Sequence, residues 1–169
     1  MILTFPVKVT SAVYKYLQVH LGPDYKLSET DHIGMYLYNL LRQPLQDKQY
    51  DKSVEKYTAK FPVRIVSSTV MNKRCKNCSS YTFYKFNTFI QNLLKAELHA
   101  YVDNHREFGL TMHGAIVEFM EKYDFCDEDY TFEALKKSYQ RWKEDQAMKK
   151  NVHQICPALR PVAKLSLSA

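Results

Sequence analysis

Apolar and polar residues alternate in two short stretches far apart in the chain. In Phe5-Pro6-Val7-Lys8-Val9 the odd positions are apolar, and Phe61-Pro62-Val63-Arg64-Ile65 repeats the scheme. A period of two among β-branched residues predicts half-buried strands over 2–9 and 59–67. Elsewhere the apolar positions recur every three or four residues, the spacing of one helix face. Val13, Tyr16, Leu17 and Leu21 predict a helix over 11–20, capped by Thr10 or Ser11 and ended by the turn Gly22-Pro23-Asp24. Ile33, Tyr36, Leu37, Leu40 and Leu41 predict a second helix over 28–42, with Ser28 and Asp31 spaced as a capping box and Pro44 as its stop.

Residues 46–60 read as a polar connector with room for a helical turn, anchored by Tyr50 and Tyr57. A short helix or turn is expected over 68–73 and a loop over 74–80. Ser79 or Ser80 then caps the longest helix, to about residue 104. Its stripe runs from Phe83 and Phe86 through Ile90, Leu94 and Leu98 to Val102, which makes it the central core helix. Thr111 caps a helix over 112–123, with Ile116, Val117, Phe119 and Met120 inward. After the acidic turn 124–130, Thr131 caps a last helix to about residue 146, docked by Phe132, Leu135, Tyr139 and Trp142.

The strand pair belongs to a wider echo. Asn39-Leu40-Leu41-Arg42 is answered by Asn92-Leu93-Leu94-Lys95. The fold class expected is mainly α with a small two-stranded antiparallel β-ribbon. A tandem strand-helix-helix pseudo-dimer occupies 1–105, a helix-turn-helix-like hairpin packed on it occupies 110–146, and a basic tail occupies 147–169.

Two antiparallel strands, each leading into two helices, resemble the ribbon-helix-helix DNA-binding fold, here with both halves in one chain over about 2–104. The resemblance implies that the ribbon enters the major groove of double-stranded DNA. Its outer face would carry Lys8 and Thr10 on one strand and Arg64 and Val66 on the other. The second helix of each unit would point its N-terminus at a phosphate, near Thr30-Asp31 and Tyr84-Lys85. Asp31 departs from that scheme, since a carboxylate repels phosphate.

Composition sharpens this picture. The chain of 169 residues carries a formal charge of +6, which favours polyanionic partners. Thirteen tyrosines, nine phenylalanines and only four glycines describe a folded chain with a sizeable core. No apolar run spans a membrane and the first residues lack the pattern of a secretory signal, so a cytoplasmic location is expected. The last helix groups Lys136, Lys137, Gln140, Arg141 and Lys143 opposite its apolar stripe, as a second DNA-contacting face. The basic tail adds sequence-independent affinity.

Cys75-Lys76-Asn77-Cys78 is half a zinc site, and no second pair completes it. It also lacks the parallel α/β setting of a thioredoxin-type redox pair, so no metal and no cofactor is expected. Glycine-rich phosphate loops, HExxH and nucleophile elbows are missing from the sequence. The expectation is therefore a non-enzymatic, sequence-specific DNA-binding protein, acting in transcription regulation or mobile-element maintenance. The alternative is a protein-interaction or structural module, with the aromatic surplus forming the interface of a homo-oligomer.

Overall fold

The computed structural model describes residues 2–42, 50–66 and 78–155. Pro44, the turn expected over 68–73, Cys75 and the tail from Cys156 onward lie outside them. The described residues form strands β1 (Ile2–Val9) and β2 (Ala59–Val66) and six helices, so the fold is mainly helical. The helices are α1 (Ser11–Leu21), α2 (His32–Arg42), α3 (Asp51–Val54), α4 (Ser80–Glu107), α5 (Met112–Lys122) and α6 (Phe132–Ile155).

The strands pair antiparallel without a bulge, from Ile2 opposite Val66 to Val9 opposite Ala59. Val7, Val9, Phe61, Val63 and Ile65 are buried, whereas Thr4, Pro6, Lys8 and Lys60 are not. The alternation read from sequence is thus the division between core and solvent. Pro6 lies opposite Pro62. Their phase matches Arg64, whose N–H and C=O point away from β1, so the missing proline N–H groups break no bond of the ladder.

Each outer edge of the ribbon is contacted at one residue. Arg64 N–H donates to the Tyr25 carbonyl and its carbonyl accepts from Leu27 N–H, each at 2.8 Å, so 25–27 lies along β2 as a short parallel bridge. On the β1 side, Asn87 of α4 donates to the Lys8 carbonyl at 3.0 Å.

Beneath the ribbon, α1 contributes Ala12, Val13, Tyr16 and Leu17, and α2 contributes Ile33, Leu37, Leu40 and Leu41. The central helix α4 buries Phe86, Ile90, Leu94, Leu98 and Val102, one residue per turn along its length. Both α5 and α6 pack against α4 and each other, and one hydrophobic cluster joins Val7 of the ribbon to Tyr139 of α6.

Two local details differ from the sequence reading, and a third chooses between its alternatives. Helix α2 starts at His32, because Asp31 alone caps it: its Oδ1 accepts from Gly34 N–H at 2.6 Å and its Oδ2 from the Tyr25 hydroxyl at 2.7 Å. Ser28 instead bonds Thr30. Helix α6 continues to Ile155 rather than ending near 146, since Gln146, Ala147, Met148 and Lys149 are all helix formers with no glycine or proline among them. Thr10 lies beyond β1 as the N-cap of α1, with its hydroxyl accepting from Val13 N–H.

Candidate nucleic-acid interface

The open face of the sheet gathers positive charge. Lys8 and Lys60 are direct partners in the register and both are exposed. Farther along β2, Arg64 is half-exposed opposite Thr4. Lys26, the bridge partner of Arg64, is exposed while its neighbour Tyr25 is buried, so its side chain shares the outer face. Among the described residues the carboxylate that pairs with this group is Asp24, 3.9 Å from the Arg64 guanidinium and largely exposed. Such a surface pair is weak and leaves Arg64 available to a competing anion.

Of the ribbon residues expected to contact DNA, Lys8 and Arg64 occupy this face. Thr10 does not, because its backbone and hydroxyl are committed to the start of α1. Val66 ends β2 opposite Ile2. Lys26 and Lys60 were missed. Lys60 has the strand phase of Arg64 and was legible in the sequence, whereas Lys26 reaches the sheet only through a tertiary bridge.

On α6 the basic residues do not form one outward face. Lys143 pairs with Asp103 of α4, at 2.7 Å, and lies over the Tyr139 and Trp142 rings. Lys136 pairs with Glu133 one turn earlier, at 3.5 Å. Gln140 is exposed on the outer surface. Lys137 and Arg141 lie on the opposite flank, where they line a groove with Lys95 and His99 of α4. Sequence spacing placed all five together because it carries no information about Asp103.

Two carboxylate clusters hold this scaffold. Glu97 of α4 accepts from Tyr16 of α1 at 3.0 Å, from Lys122 of α5 at 2.8 Å and from the Tyr123 hydroxyl. Burial works to raise its pKa, but those three donors hold it below the usual carboxylate range. Burial and the Glu97 charge push the Tyr16 and Tyr123 phenols far up, so both stay protonated as donors. In the second cluster Asp129, its side chain 1% exposed, accepts from Lys15 at 2.8 Å and from the Cys126 thiol at 3.1 Å. Burial opposes its ionisation, yet Lys15, Ser11 and Cys126 lower its pKa to about 2.

Cys78 is half-buried just before α4. Among the described residues no three His, Cys, Asp or Glu side chains gather to hold a metal ion, and no helix is long and apolar enough to cross a membrane. Comparison with protein-family models, curated proteins and solved structures finds no match to this chain.

Proposed function

We propose that the chain is a non-enzymatic protein that binds double-stranded DNA through the outer face of its sheet, as a sequence-specific regulator of transcription or of a mobile element. The carrying observation is the pair Lys8–Lys60. Two like charges directly opposite on an antiparallel ladder are destabilising unless an anion lies between them. Neither has an ion pair among the described residues. Lys26 and Arg64 extend the positive surface along β2. A ribbon backed by helices and open on its other face also suits the width of a major groove.

The ribbon-helix-helix comparison belongs to this proposal. In its favour, β1 leads into α1 and α2, and β2 precedes α4. Lysines would fix the ribbon on phosphates, while Arg64 would donate to guanine O6 and N7. The test is a fluorescence-anisotropy titration against random duplex DNA at low and moderate salt. Binding that weakens steeply as salt rises supports the proposal. Absence of binding at low salt refutes it and turns the search to protein partners.

A further inference from the structure

A groove of about 640 Å³ separates α4 from α6, away from the sheet face. Lys95 stands on one wall, with Lys137 and Arg141 on the other. None of the three has an ion pair among the described residues, whereas Lys136 and Lys143 on the same helix are neutralised by Glu133 and Asp103. Asp145 is the one carboxylate lining the groove among the described residues. Lys137 and Arg141 are four residues apart on the helix, about 6 Å along the axis. Charge is therefore spread along a track rather than focused on one point.

Aromatic rings face the same space. His99 stacks on Trp142 with ring centroids 5.0 Å apart and planes 19° apart. Its Nε2 lies 3.1 Å from the Ser138 hydroxyl, which fixes the ring. Burial and the Lys95 charge hold the imidazole below its usual pKa, against the weaker pull of Ser138 and Asp103. At neutral pH the ring is uncharged, so this is a stacking surface rimmed by cations.

We infer that this groove takes a single strand of nucleic acid, with phosphates on Lys95, Lys137 and Arg141 and a base against the His99–Trp142 pair. Cations on both walls of an open groove suit a backbone, and an aromatic surface accepts any base. An acidic peptide would meet the cations but make no use of the stacked rings. The inference shares with the proposal above only the class of partner, since both the surface and the strandedness differ.

Trp142 is the sole tryptophan in the chain, so its fluorescence reports this groove directly. The full chain is titrated with oligo-dT at low salt, then with a poly-glutamate peptide of equal charge, then with duplex DNA. The expected result is quenching of Trp142 by oligo-dT, with affinity about tenfold lower in the exposed double variant Lys137→Ala/Arg141→Ala. No quenching by oligo-dT, undiminished affinity in the double variant, or equal quenching by poly-glutamate would each overturn the inference. A chain that binds oligo-dT but ignores duplex DNA would refute the sheet-face proposal and leave the groove standing. Binding to duplex without oligo-dT quenching would do the reverse.

Discussion

The side-chain amide of Asn87 holds the backbone of Thr10: its Oδ1 accepts from the Thr10 N–H at 3.0 Å, across a separation of 77 positions in sequence. The same amide donates to the Lys8 carbonyl at 3.0 Å and to the Phe83 carbonyl at 2.9 Å. One fully buried side chain on the central helix therefore fixes the corner where β1 becomes α1. That corner sets the direction in which Lys8 leaves the sheet.

Replacing Asn87 by Leu keeps the γ-branched shape but strands the part-buried Thr10 N–H and Lys8 C=O. The expected loss is about 2–4 kcal/mol of stability, because each orphaned group carries its own desolvation cost. Urea unfolding measures it. A loss of about 0.5 kcal/mol, the range of surface substitutions, would show that the corner is held by something else.

Gly34 is required for a different reason. A Cβ there would meet the Ser28 carbonyl and the Tyr25 hydroxyl, the latter engaged with Asp31. The close approach of α2 to 25–28 lets 25–27 lie along β2 and brings Lys26 to the outer face. Gly34→Ala should therefore destabilise the fold by about 1–3 kcal/mol despite the better helix propensity of alanine. Thermal melting of this variant beside the unconfined Gly109→Ala separates crowding from backbone strain. Gly109 has open space at its Cβ and a φ of 93°, so its cost is conformational alone.

Acid should weaken the fold through Asp129. Its pKa is lowered from 3.8 to about 2, so the carboxylate stabilises the folded state at pH values above its unfolded pKa. That contribution, about 2 kcal/mol, is lost as pH falls from about 4 to 2. Glu97 and Asp103 are shifted in the same direction and add to the loss. Comparing chemical unfolding of wild type and Asp129→Asn across this window isolates the one residue: the gap between them should close on acidification. A gap that stays constant would contradict the assignment.

Much of the fold was legible in local pattern because local physics decided it. The buried strand residues Val7, Val9, Phe61, Val63 and Ile65 all stand at odd positions, and the α4 stripe from Phe86 to Val102 is the core axis. Thr10, Thr111 and Thr131 cap helices through their own side chains. Interactions between distant residues were not legible. Lys143 lies beside Tyr139 and Trp142 and is held there by Asp103 of α4, away from Lys137 and Arg141, and Lys26 joins the sheet through a bridge to Arg64. Arg64 has the outward phase that the alternation implies, but its partner Asp24 comes from the turn after α1.

Arg64 separates base reading from phosphate contact. Once a preferred site has been selected, Arg64→Ala should cost about 1–3 kcal/mol on that site and less on random duplex, as expected for a side chain that reads a guanine edge. Competition binding with both duplexes makes the comparison. Equal losses would make Arg64 a phosphate contact.

The most direct test of the sheet-face claim is the salt dependence of duplex binding for wild type beside Lys8→Ala/Lys60→Ala. Both lysines are exposed, so the variant keeps the core intact. Wild-type affinity should fall linearly with salt on logarithmic axes. The variant should bind more weakly with a slope shallower by about 2, near 0.9 for each phosphate that is no longer neutralised. Identical affinities and slopes for the two proteins would contradict the claim that this face carries DNA.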